Sequence, residues 1–135
     1  MASRGSSQSL AASNAQQLLF VLRGANMTLT TDQAFTKQFG GTTYQITSVS
    51  AVRKTGAFGV ACVGGIYDTA SKAGNALIAA AQVWSALTGA NTIQTATLAA
   101  IAGSVASTAT PFLSLTTGNT GALTADLFIW GVVLD

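Results

Sequence analysis

Histidine and glutamate are absent from this chain of 135 residues, and cysteine and proline each occur once. The acidic residues amount to four aspartates, Asp32, Asp68, Asp126 and Asp135. Each absence removes a class of chemistry. Without histidine, the commonest general base and the commonest transition-metal ligand are missing. Without a base in reach, the Cys62 thiol and the many serine hydroxyls have nothing to activate them as nucleophiles. The aspartates are too scattered for a carboxylate pair, and a calcium site around Asp68 and Asn75 would normally gather more carboxylates. The expectation is no catalytic residue, no cofactor and no metal, in a protein that is not an enzyme. A lone Cys62 forms no internal disulfide and reads as a small core hydrophobe.

Charge is scarce as well. Charged residues make up 7% of the chain, against roughly a quarter in ordinary globular proteins. The pI near 9.0 rests on six cations, Arg4, Arg23, Lys37, Arg53, Lys54 and Lys72. Nucleic-acid binders cluster such residues to neutralise phosphates. The only adjacent pair here, Arg53-Lys54, reads as the end of a strand at a turn, so nucleic acid is not expected as a partner unless the chain lines a genome. No apolar run approaches the roughly 20 residues that cross a bilayer, and residues 1–17 lack the charged and apolar regions of a signal peptide. No membrane partner is expected.

What remains is hydrophobic, 49% of the chain, with alanine, threonine, serine and glycine filling most of the rest. A neutral surface of small polar residues loses little solvation when covered, which suits packing against protein. The length fits one domain. Residues 1–14 are a low-complexity stretch with little to bury, so residues 1–17 are expected to be a flexible arm and residues 18–135 a single β-rich domain.

Within the domain, residues 18–22 (LLFVL) are a short run of β-formers suited to a strand buried on both faces. Residues 26–30 alternate as a half-exposed strand. Tyr44 and Ile46 share a face, but Val49 falls out of phase, which predicts a bulge near Thr47-Ser48. Gly56 marks a turn. Phe58, Val60 and Cys62 line one face of a further strand, with Gly59 and Ala61 on the other, and Gly64-Gly65 is expected to break it. Residues 68–75 carry turn chemistry. Residues 76–87 fit helix or strand, with strand preferred. Residues 92–106 share the ambiguity: threonines at 92, 95 and 97 favour strand, while residues 98–102 fit a helical turn or compact loop that Gly103 would end. Residues 113–117 and 123–135, separated by GNTG, are expected to form an antiparallel hairpin. The last strand is apolar on both faces, so it must be a central strand or meet another subunit. Together these features predict an all-β antiparallel sandwich or barrel, plausibly jelly-roll-like.

The strings GGIYDTASKAGN at residues 64–75, AAAQVWSALTG at 79–89, PFLSLTTGNT at 111–120 and TADLFIWG at 124–131 resemble tailed-phage capsid decoration (cement) proteins and similar small virion proteins. The likeness covers residues 64–135. It implies a compact β-domain, often a trimer or dimer, that sits on the outer capsid surface of the virion and binds the major capsid protein, reinforcing the shell. On this reading Phe128, Trp130 and Val132 form the subunit contact, and the arm, with Arg4, Gln8 and Leu10, reaches onto the capsid. The alternatives are a main coat protein that forms a shell by itself, or a fibre or tail module whose aromatic residues bind glycans.

Overall fold

A computed structural model describes residues 15–56, 60–88, 93–100, 102 and 107–135. Its strands are β1 (Gln17–Asn26), β2 (Gln33–Ala34), β3 (Thr36–Lys37), β4 (Tyr44–Gly56), β5 (Val63–Thr69), β6 (Ala73–Ile78), β7 (Ile93–Ala96), β8 (Phe112–Thr117) and β9 (Leu123–Val133). A single-turn 3₁₀ helix, Ser85–Thr88, lies between β6 and β7.

The expected all-β sandwich forms. One sheet has five strands in the order β3-β1-β9-β4-β7, and the other has four in the order β2-β8-β5-β6. All pairings are antiparallel, and apart from the short β1–β3 contact they nest, outermost to innermost: β1 with β9, β2 with β8, β4 with β7, β5 with β6. A chain that pairs its first strand with its last and works inward is a long hairpin rolled into two layers, the jelly-roll arrangement. The core lies between the layers. Leu19, Phe20, Ile46 and Ile129 of the larger sheet join Ile66 and Leu115 of the smaller in one buried cluster.

Bulges reconcile the apolar runs with this single core. In β1 the pairing with β9 shifts between Leu18 and Phe20, so Leu19 and Phe20 both reach the interior although they are neighbours. In β4 the register shifts between Ile46 and Ser48, as the phase slip predicted, and Ile46 and Val49 are both buried. Each bulge adds one residue, which returns the following side chains to the core face.

Several sequence expectations are corrected. Gln17, assigned to the arm, is the first residue of β1. Residues 26–30 are not a strand, because Asn26 closes a turn in which its side chain accepts the Thr28 N–H at 3.0 Å and its carbonyl accepts the Leu29 N–H at 3.3 Å. This local bonding competes with the ladder. Residues 60–62 are likewise outside any strand, with Val60 exposed and Cys62 buried; Phe58 and Gly59 lie outside the described residues. Gly64-Gly65 does not break a strand but sits inside β5. A Cβ on Gly64 would stand 2.3 Å from the Leu115 Cα, and one on Gly65 would stand 2.1 Å from the Ile78 carbonyl oxygen. These glycines let β8 and β6 approach closely on either side.

In residues 76–87 strand and turn share the sequence. β6 ends at Ile78, a turn follows, and Trp84 enters the core, donating its indole N–H to the Gly64 carbonyl at 3.1 Å. In residues 92–106, strand β7 takes Ile93–Ala96, Leu98 bridges to Ile78, and Ala102 donates to the Ala99 carbonyl in a turn; Thr92 and Gly103 lie outside the described residues. The largest correction concerns the C-terminal third. β8 and β9 do not form a hairpin, since β8 lies between β2 and β5 in one sheet and β9 between β1 and β4 in the other. Residues 118–122 carry the chain from layer to layer. Asn119 anchors that corner, its N–H donating to the Met27 carbonyl at 2.8 Å.

Candidate association surface

β9 resolves the dilemma of a strand that is apolar on both faces by being central. Its inner row, which includes Leu123, Ala125, Leu127, Ile129 and Val133, is buried in the core. Its outer row is Thr124, Asp126, Phe128, Trp130 and Val132. Phe128, Trp130 and Val132, the residues chosen from sequence as the subunit contact, therefore stand together on the outer face of the five-stranded sheet, each half-buried. The proposed capsid-binding residues Arg4, Gln8 and Leu10 lie outside the described residues.

Directly opposed residues in an antiparallel pair point to the same face, so the registers build the rest of this surface. Trp130 stands between Leu18 of β1 and Ser48 of β4, and Phe128 stands between Val21 and Ser50. Val21 is buried yet lies outside the core cluster, as an outer-face residue covered by its neighbours should. Further out, Val52 of β4 opposes Ile93 of β7, which is 66% exposed. The neighbours of the two aromatic rings are thus the small Ser48 and Ser50 on the β4 side and the apolar Leu18 and Val21 on the β1 side.

Both neighbours of β9 bulge beside Trp130. The extra residue is Leu19 on β1 and Thr47 on β4, and the Thr47 hydroxyl donates to the Trp130 carbonyl at 3.3 Å. Bulges raise local twist and re-aim side chains.

A second pair of bulges frames the other polar feature of this face. Between Leu22 and Ala25 of β1, and between Arg53 and Thr55 of β4, the register shifts again. Gly24 adopts a φ of 62°, a left-handed conformation suited to glycine. Asp126, buried, accepts the Gly24 N–H at 2.8 Å and lies 3.5 Å from both Arg23 Nη1 and Lys54 Nζ. The Arg23 guanidinium also lies 5.8 Å from the centre of the Phe128 ring. Asp126 thus pairs with two cations, Arg23 and Lys54. That Arg23 and Lys54 meet there was not visible in sequence, since they lie on different strands.

The remaining aspartates serve the loops. Asp32 accepts the Ser71 N–H at 2.6 Å and the Ser114 hydroxyl at 2.7 Å, tying the tip of the β5–β6 hairpin to β8. These two hydrogen bonds, the Ser71 one first, hold its carboxyl below the usual range, with Lys72 adding a smaller effect. Asp68 accepts from the Asn75 N–H and side-chain amide at 2.8 and 2.9 Å, so both of its oxygens are engaged within the hairpin. Asp135, exposed beyond the end of β9, accepts from the Thr42 hydroxyl and from the Thr42 and Thr43 N–H groups, which keep its carboxyl low. Among the described residues no three histidine, cysteine, aspartate or glutamate side chains gather as metal ligands. Burial pushes the Cys62 thiol up to about 11.

Compared with protein-family models, curated proteins and solved structures, the chain matches none.

Proposed function

We propose that this chain is a structural virion protein that binds the outer surface of a phage capsid and stabilises it as a decoration protein. The observation that carries the reading is the outer face of the five-stranded sheet, where Phe128 and Trp130 stand half-buried between Leu18 and Val21 on one side and Ser48 and Ser50 on the other. A face of this kind gains by being covered, because apolar area leaves water and few solvated charges are lost. The resemblance of residues 64–135 to small virion proteins supplies the setting. The jelly roll is compatible with it, as a fold that recurs in viral capsid proteins, although fold alone assigns no function. Many copies on a lattice multiply modest contacts into a durable shell.

The major capsid protein is the proposed partner, and the segment that precedes β1 is the proposed tether. Cryo-electron microscopy of the particle that carries this chain is the test, with mass spectrometry to identify its proteins. Density for the sandwich on the outer shell supports the reading, and absence of the chain from purified particles overturns it. A main coat protein is the second reading, favoured by the same fold; purified chain closing into shells without another protein would establish it. The partly exposed Trp130 is the feature a glycan-binding fibre or tail module would use, and a glycan array separates that reading from decoration.

A further inference from the structure

The face built around Phe128 and Trp130 ends in a charge imbalance that the chain cannot neutralise from its own side chains. Arg23 and Lys54 converge on the single carboxylate of Asp126, each at 3.5 Å, and both cations are more than half exposed while Asp126 is buried. Two positive charges thus share one negative charge. The chain has four aspartates and no glutamate, and the other three aspartates are committed elsewhere. Asp32 accepts from Ser71 and Ser114, Asp68 from Asn75, and Asp135 from Thr42 and Thr43 beyond the end of β9.

The surplus positive charge adjoins the apolar part of the face. The Arg23 guanidinium lies 5.8 Å from the centre of the Phe128 ring, and Trp130 and Val132 follow Phe128 in the outer row of β9. From Asp126 to Val132 that row runs about 20 Å. A guanidinium beside an aromatic ring keeps N–H groups at its rim for a planar carboxylate, and the Lys54 ammonium adds its own donors. The pair therefore fits an anion held next to apolar side chains.

The sandwich directs a partner to this face rather than to a sheet edge. On one flank β2 and β3, separated only by Phe35, belong to different sheets, so one short segment spans the gap. On the other flank Leu98 bridges to Ile78, and the Ala99 N–H donates to the Leu77 carbonyl at 2.9 Å. Edges this short and this laced are poor templates for an added strand.

A second copy of the chain does not supply the missing charge, because it brings the same cations and the same committed aspartates. We infer that the outer face of the five-stranded sheet binds an acidic segment of the capsid protein, whose apolar side chains cover Phe128 and Trp130 and whose carboxylate meets Arg23 and Lys54. The inference rests on the decoration reading and names the chemistry of its partner. Apolar cover would shield the charged contact from water, where hydrogen-bonded ion pairs are strongest, and its position at one end of the row would fix the orientation of the segment.

Co-sedimentation of the full chain with particles stripped of it, before and after nuclease treatment, is the test. Arg23→Gln and Lys54→Gln should each weaken binding about tenfold, and Trp130→Ser by at least as much. Lys72→Gln removes the same charge from the β5–β6 hairpin of the other sheet and should leave binding unchanged. Binding of the unaltered chain should weaken as salt rises. A carbodiimide, which joins an amine directly to a carboxylate, should link Lys54 to an aspartate or glutamate of the capsid protein, read by mass spectrometry. Circular dichroism shows that each variant folds, and the salt and cross-linking measurements need no variant. Binding indifferent to Arg23→Gln and Lys54→Gln, an equal loss in Lys72→Gln, a Lys54 cross-linked only to Asp126, or binding that nuclease abolishes would each overturn the inference while leaving the chain a particle-bound protein. An unaltered chain that binds the particles under no condition fails the decoration reading itself.

Discussion

Asp126 on β9 accepts the backbone N–H of Gly24 on β1 at 2.8 Å, across a bulge that leaves no ladder partner for that amide. The carboxylate is buried, whereas the side chains of the two cations it pairs with are 68% and 54% exposed. The hydrogen bond should therefore outweigh the ion pairs, which solvent screens. Asp126→Ala is expected to cost about 1–3 kcal/mol of unfolding free energy. Asp126→Asn keeps an acceptor for Gly24 and should cost about 1 kcal/mol or less. Urea unfolding of both variants checks the order; equal losses would place the stabilisation in the charges.

Trp84 fills the interior and satisfies the Gly64 carbonyl. Trp84→Phe retains most of the packing but strands that carbonyl, at about 1–3 kcal/mol. Trp84→Ala adds a cavity and should cost about 3–5 kcal/mol. Tryptophan fluorescence offers an independent check. Trp84 should resist acrylamide quenching in the native state, and Trp130 should be quenched in proportion to its exposure.

Gly65→Ala should be among the most damaging single-methyl changes in the chain, because the new Cβ would stand 2.1 Å from the Ile78 carbonyl oxygen and only backbone movement could relieve it. A loss of about 3 kcal/mol or more is expected. Gly40→Ala meets nothing within 4 Å and should stay within about 0.5 kcal/mol of the parent. Thermal unfolding of the pair tests whether close approach, and not glycine content as such, governs β5.

Acid should loosen the β5–β6 hairpin. The Asp32 carboxyl is held low by Ser71 and Ser114, so its contribution is complete above its unfolded value of about 4 and disappears as pH falls through the lower folded value. Asp32→Asn is expected to flatten the fall in stability below that pH, measured by urea midpoints across the acid range. An unchanged acid limb would locate the effect elsewhere.

Cys62 gives the alkaline counterpart. Burial pushes its thiol up to about 11, above the usual value of about 8.5. Its contribution is intact below the lower value and is lost as pH rises through the higher one. At pH 8 the native thiol should resist a disulfide reagent and react fully after denaturation. Rapid native reaction would show that the segment around it opens readily.

The composition and local patterns of the chain determined the all-β class, the neutral surface, the bulge near Thr47 and the doubly apolar last strand. Each depends on residues close together in sequence, through β-propensity, two-residue alternation and the residue types available. Even the grouping of Phe128, Trp130 and Val132 on one face follows from the strand's period of two. Tertiary structure alone decided which strands pair. The segment GNTG suits a hairpin as well as a corner between layers, and only the placement of β8 against β2 and β5, with Asn119 bonded to Met27, selects the corner. The convergence of Arg23 and Lys54 on Asp126 was likewise hidden, because three strands far apart in sequence must first lie side by side. Nested pairing of first strand with last is a non-local choice, set by burial of both inner faces in one core, and local pattern does not encode it.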